Sequence, residues 1–219
     1  MIRFENLTKV FHVDGTKKTV ADNINLTFPS GKAVALLGRN GAGKSTLLQM
    51  IAGNVPPSSG RIVSTGTISW PVGFAGSFHA DLTGAQNTRF IARVYGVNTQ
   101  DLLEFVEDFA GLGAHFHLPL RTYSSGMRSR LAFGVSMGID FGTYLVDEIT
   151  AVGDAAFQAR SNKVFLARMK SASAVVVSHS MGLVRQICDV AAVLENGKLY
   201  YYDDIEAGIA HHSRNMQNG

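Results

Sequence analysis

The eight residues Gly38-Arg39-Asn40-Gly41-Ala42-Gly43-Lys44-Ser45 constrain this chain more than any other stretch. They follow the pattern G-x-x-x-x-G-K-[ST] of a phosphate-cradling loop. Ala33-Val34-Ala35-Leu36-Leu37 runs into them as an apolar strand. Thr46 to Ala52 leaves them with Leu47, Leu48 and Ile51 at helical spacing. Strand, glycine-rich turn and helix is the context the motif requires, and it predicts an α/β chain.

The chemistry follows from the backbone. Gly38, Gly41 and Gly43 can take angles closed to other residues, which lets the chain approach a phosphate closely. The freed N–H groups and the positive end of the following helix then face the anion. Lys44 is placed to reach the β- and γ-phosphates, and the Ser45 hydroxyl to bind Mg²⁺.

Length and composition set the frame. With 219 residues the chain has room for one large domain, or a domain with an inserted lobe. Hydrophobic residues are 46% and charged residues 17%, so the composition is globular and rather apolar. The formal charge is +3 and Lys17-Lys18 is the longest basic run, a weak argument for nucleic acid, and no nucleic-acid partner is expected. Cys188 is the single cysteine, so no disulfide staples the fold, which points to an intracellular protein and a buried structural thiol. The start, Met1 to Leu7, alternates like a strand and lacks the apolar core of a signal peptide. No run of about 18 apolar residues exists, so any membrane role is expected to come through another subunit.

In chain order, residues 2–7 and 24–28 read as strands, with a turn at 12–16 between them. Phe11 is the aromatic nearest the front of this layer, able to stack on a base or simply to pack. Short strands are expected at 61–63 and 67–70. From about 75 to 140 the pattern turns helical, with helices at 87–95 and 101–109. That stretch reads as a helical insertion within one domain spanning 1–219. His79, His115 and His117 lie in it without the arrangement of a metal site.

The α/β rhythm returns at Thr143 to Val146, followed by a helix from Ala155 to Lys170, a strand at 174–177 and a helix from Ser180 to Cys188. Val190 to Leu194 and Leu199 to Tyr202 read as a hairpin around Asn196-Gly197. The tail from Asp203 is expected to be a short helix that frays after His211-His212.

Two strand ends add chemistry. Asp147-Glu148 closes an apolar strand, and in a parallel sheet that end lies beside the phosphate loop. Asp147 is placed to hold Mg²⁺ and Glu148 to activate the attacking water. His179 also follows a buried strand and could contact the γ-phosphate. Tyr123-Ser124-Ser125-Gly126-Met127 opens a further helix. Its serines suit a helix cap, and its Ser-Gly backbone suits a second anion cradle.

Phosphate loop, Ser-x-Gly helix start, Asp-Glu strand end and Ser-His strand end, in this order over essentially the whole chain, resemble an ABC-transporter ATPase subunit. The resemblance implies a P-loop NTPase fold with a RecA-like core, an antiparallel β subdomain and a helical subdomain. It implies ATP and Mg²⁺ as ligands. Phe11 matches the aromatic that stacks on adenine. Gly38, Arg39, Asn40, Gly41, Ala42, Gly43, Lys44, Ser45 and Thr46 match the Walker A loop and the helix residue after it. Asp147 and Glu148 match the Walker B aspartate and the catalytic glutamate, and His179 the switch histidine. Ser124, Ser125 and Gly126 stand where the signature has Ser-Gly-Gly, offered to the nucleotide of a second copy. Ala151-Val152-Gly153-Asp154 matches the loop along the dimer interface.

There are departures from the family pattern. Ser125 replaces a glycine and Met127 a glutamine. Ile149 replaces the proline after the Asp-Glu pair. No glutamine occurs in 69–83, where the family links nucleotide state to the transmembrane subunit, and Phe74 falls about there.

The same departures mark a sub-group. Ile68 to Phe74, the run at 123–131 and Val146 to Asp154 look like the polysaccharide-export ATPases, nearest those of Gram-negative capsule exporters. Exporters of O-antigen and teichoic acid often carry a C-terminal carbohydrate-binding domain, for which the 219 residues leave no room. That resemblance implies a homodimer on the cytoplasmic face of the bacterial inner membrane, driving a separate permease that carries the polysaccharide. Phe74 and Phe78 are the candidate permease contact. An O-antigen or teichoic-acid type of exporter, and a regulatory ATPase with little turnover, stay open beside it.

Overall fold

The computed structural model describes the chain except for residues 14, 74, 75, 77, 149–153 and 218–219. The chain divides into two compact units, one of residues 1–71, 141–148 and 169–219, the other of 72–140 and 149–168.

The first unit holds two sheets. β1 (Ile2–Val13), β2 (Thr16–Phe28) and β4 (Ser59–Ser64) form an antiparallel sheet in the order β2-β1-β4. The other sheet runs β5-β6-β7-β3-β8-β9. It consists of β5 (Ile68–Pro71), β6 (Thr143–Asp147), β7 (Ser173–Val177), β3 (Ala33–Leu37), β8 (Val190–Glu195) and β9 (Lys198–Tyr202). All pairings are parallel except β8 with β9. Every residue of β3 and β7 is buried. That is why they read as unbroken apolar runs, because a parallel strand is covered on both faces. Helix α1 (Lys44–Ile51) buries Leu47, Leu48, Met50 and Ile51 in the same core as Val34, Leu36, Leu145 and Val175.

β1 and β2 are longer than their alternation suggests. Their register shifts between Phe4 and Leu7, between Leu7 and Lys9, and again between Lys9 and Val10. Asn6 and Asn23 sit at positive φ (49° and 50°), so each kinks its strand and breaks the period of two. The expected turn at 12–16 shrinks accordingly, since Val13 pairs with Thr16.

The second unit is helical. α2 (Gly84–Tyr95) opens with a reciprocal cap, Thr83 Oγ1 accepting from Gln86 N at 3.0 Å and Gln86 Oε1 from Thr83 N at 2.9 Å. Such a cap is worth about 1 kcal/mol. α3 (Thr99–Ala110) is capped by Asn98. Two single-turn 3₁₀ segments, Gly113–His117 and Leu120–Thr122, lead into α4 (Ser125–Gly138). α5 (Ala155–Ser171) lies largely in this unit. Phe109 is its aromatic centre, with ring centroids 5.5 Å from Phe105, 5.9 Å from Phe133 and 5.4 Å from Phe157. Of the three histidines, His117 pairs with Glu107 at 3.2 Å and His79 accepts from Asp81 N.

α6 (Met181–Ile187) is capped by Ser180, and Cys188 at its other end is buried, with burial pushing its thiol up to about 12. α7 (Ile205–Gln217) corrects the sequence reading. It does not fray after His212 but continues to Gln217. His211 anchors its middle, accepting or donating at 2.9 Å with Tyr202 Oη and at 3.3 Å with Glu195 Oε2. Among the described residues no helix is long and apolar enough to cross a membrane.

Candidate nucleotide site

The site starts from strand order. β7 lies between β3 and β6, so the C-terminal ends of three adjacent strands converge. β3 delivers the phosphate loop, β6 delivers Asp147-Glu148, and β7 delivers Ser178-His179. Asp147 pairs with Val177 in the ladder, and Glu148 N donates to Val177 O at 3.0 Å. That bond helps hold Glu148 at φ 45°, a left-handed conformation that costs a non-glycine residue free energy. The result is a carboxylate aimed at its neighbour strand: Glu148 Oε1 is 2.7 Å from His179 Nε2.

The phosphate loop closes tightly on its surroundings. Gly43 caps α1 at φ 107°, with no side chain bonding the first-turn N–H groups. A Cβ on Gly43 would fall 2.2 Å from Val20 Cγ1, and one on Gly38 would fall 2.5 Å from Leu194 O. At Gly38 and Gly43 the loop therefore fits only without a side chain, and the uncapped first-turn donors of α1 need an acceptor from outside. Lys44 Nζ donates to Gly38 O at 2.7 Å and Arg39 O at 3.1 Å. Burial pushes the Lys44 pKa down, while Glu148 and Asp147 oppose the shift. Burial likewise raises the Asp147 pKa, against a hydrogen bond from Ser45.

A cleft of about 450 Å³ joins these groups. Phe11, Asn40, Gly41, Gly43, Lys44, Ser45, Thr46, Glu148 and His179 all line it. Gly38, Arg39 and Ala42 shape the loop without lining the cleft, and Asp147 reaches it through Ser45. Lys18, Val20 and Val177 also line it, and sequence reasoning missed them. The missed signal for Lys18 was the hairpin itself. Counting outward from the turn pairs 13 with 16, 12 with 17 and Phe11 with Lys18.

The Ser45 hydroxyl and the Asp147 carboxylate are oxygen donors of the kind a hard divalent cation takes, so the residues present fit Mg²⁺. The uncapped loop fits the anion it would accompany. Ser124 caps α4 in the helical unit, its Oγ accepting from Met127 N at 3.2 Å, with Ser125 and Gly126 opening the first turn. Phe74 and residues 149–153, which include most of the expected interface loop, lie outside the described residues.

His212 is a further residue that the sequence did not flag. Among the described residues its buried Nδ1 has no hydrogen-bond partner. Burial, then the charges of Lys44, His179 and His211, push its pKa below 6.5. The folded state thus favours the neutral ring, and the unfolded chain binds the proton more readily. The His212 contribution to stability is fully present above about pH 6.5 and is lost as the pH drops from there through the lowered folded value. His212→Gln is expected to shrink the loss of Tm between about pH 7.5 and pH 5.5. Equal losses in variant and wild type would refute the assignment.

A phosphate loop, a strand-end aspartate and glutamate, and a histidine on the adjacent strand end define a nucleoside-triphosphate-binding protein of the phosphate-loop class. Residues 21–151 match the ABC transporter family. The chain belongs to that family, as one of its ATP-binding subunits.

The polysialic acid transport ATP-binding protein KpsT of Escherichia coli is 50% identical over 212 residues, covering 95% of each chain. The capsule polysaccharide export ATP-binding protein CtrD of Neisseria meningitidis serogroup B is 41% identical, covering 94% of this chain and 95% of CtrD. Among solved structures, the ATP-binding cassette MJ0796 bound to ADP and Pi superimposes with a TM-score of 0.72 at 20% identity, covering 91% of this chain and 96% of that one. That likeness shows the fold: the ABC ATPase cassette.

Proposed function

We propose that this protein is the ATP-hydrolysing subunit of an exporter that moves capsular polysaccharide across the inner membrane. Its relatives named for polysialic acid transport and capsule polysaccharide export support the substrate class, at 50% and 41% identity over nearly full length. The observation that carries the catalytic reading is the Glu148–His179 pair at 2.7 Å, lining the same cleft as Lys44.

In this reading the two units form one ABC domain spanning 1–219. Phe11 takes the adenine. The loop from Gly38 to Thr46 takes the phosphates. Ser45 and Asp147 would hold Mg²⁺, which when bound would supply charge neutralisation for phosphoryl transfer. Lys44 exchanges the carbonyls of Gly38 and Arg39 for phosphate oxygens. Glu148 accepts a proton from the attacking water, and His179 fixes the orientation of its carboxylate. Ser124, Ser125 and Gly126 of a second copy complete each site, so the working form is a homodimer. It sits peripherally on the cytoplasmic face of the membrane against an integral permease, through which the polysaccharide is reached.

The permease contact is assigned to the helical unit. Phe78 is half-buried, but Phe90 and Val94, one turn apart on α2, are 56% and 59% exposed. Phosphate release in membrane vesicles should rise several-fold when the permease is present. Phe90→Asp should abolish that rise and spare the basal rate. Equal rates with and without the permease would instead support a regulatory subunit.

A further inference from the structure

Lys18 is an exposed residue of β2 that stands directly across the ladder from Phe11. Residues so paired share one face of an antiparallel sheet, with Cβ atoms about 5 Å apart. Both side chains line the nucleotide cleft. The Lys18 ammonium reaches over the phosphate loop, and its Nζ is the nearest atom to the space above Gly41, 3.9 Å from where a Cβ would stand. Among the described residues no salt bridge joins Lys18 to a carboxylate. Its neighbour Lys9 is placed differently, donating to Pro56 O at 2.7 Å while its ammonium covers one face of the Phe11 ring at 4.8 Å. The cleft thus holds two cations along its length. Lys44 feels the charges of Glu148 and Asp147, and Lys18 stands across the ladder from the aromatic.

We infer that Lys18 binds the α-phosphate of the nucleotide, the anionic group nearest the base. The inference rests on the reading that Phe11 takes the base and the loop takes the phosphates. An ammonium over a glycine crest, with no carboxylate paired to it among the described residues and an aromatic beside it, matches the junction between a base and its first phosphate. A lysine acts there as a point charge, so the contact is tolerant of angle and sensitive to salt. Lys18 would strengthen ATP and ADP alike. It would leave discrimination between them to Lys44 and the strand-end residues.

The test is competition of ATP, ADP, AMP and adenosine against a fluorescent ATP analogue on the full chain. Lys18→Met is expected to weaken ATP, ADP and AMP by a similar factor of about 10, with adenosine unchanged. Lys18→Arg should restore most of the loss, and the ATP deficit should shrink at high salt. Because Lys18 is exposed, the variant should melt at the wild-type temperature. A deficit confined to ATP would place the ammonium on the terminal phosphates, and an equal deficit for adenosine would place it on the ribose; either overturns the inference. Unchanged affinity for all four would do so too. If the wild type itself bound no ATP, the nucleotide reading would fall and the inference with it.

Discussion

Glu148→Gln is expected to bind ATP with near-normal affinity and to release phosphate roughly 10²–10⁴ times more slowly. The amide matches the carboxylate in shape and can still accept from His179 Nε2, which lies 2.7 Å from Oε1 in the wild type. It cannot take a proton from water. The strained backbone at φ 45° is retained, so the geometry of the strand end should survive. With hydrolysis blocked, ATP should hold two copies together, visible as an ATP-dependent dimer in size-exclusion chromatography. Single-turnover phosphate release separates this from a binding defect. Turnover at the wild-type rate would remove Glu148 from the role of base.

Gly43→Ala should have a comparably large effect, on binding rather than on turnover. The added methyl would stand 2.2 Å from Val20 Cγ1, and the backbone would have to hold φ 107° with a Cβ attached. The second cost alone is of order 1–3 kcal/mol. The loop is expected to reorganise, and ATP affinity to fall by about 100-fold, because the donors of the first turn of α1 no longer converge. Adding Val20→Ala should recover only part of the loss, since it removes the collision and leaves the unfavourable φ. Calorimetric titration of wild type, single and double variants distinguishes the two contributions. Full rescue by Val20→Ala would mean that collision alone sets the cost.

These two sites differ in how far the sequence announces them. The phosphate loop is local: eight consecutive residues carry the glycines, the lysine and the hydroxyl, and the flanking runs show strand and helix. Glu148 and His179 are each legible as a strand end. Their contact is not, because it depends on β6 and β7 being neighbours, a pairing that no local pattern encodes. The antiparallel strands run beyond their legible alternation for a physical reason. Asn6 and Asn23 kink their strands, so the period of two is lost between the readable stretches 2–7 and 24–28. α7 also runs beyond its legible pattern. Only Gly208 and Ile209 of it are buried, so its second half has little apolar signal. Its anchoring by His211 to Tyr202 and Glu195 comes from residues on other elements. The sequence leaves Phe11 open between stacking and packing; the structure puts it in the lining of the same cleft as Gly41 and Lys44.

β2 is braced at both of its working points. Val20 fills the space beside Gly43, and two residues further on Asp22 clasps the β8–β9 hairpin, its N–H donating to Gly197 O at 2.8 Å and its carboxylate meeting Lys198 Nζ at 2.8 Å. The strand that presents Lys18 opposite Phe11 is thereby pinned to the strand layer that presents the phosphate loop. Such a jaw works as a caliper of preset gap. On the proposed reading it would set the span between a base on Phe11 and the phosphates on the loop before any ligand arrives, and a ligand of the wrong length would find one end of the gauge empty.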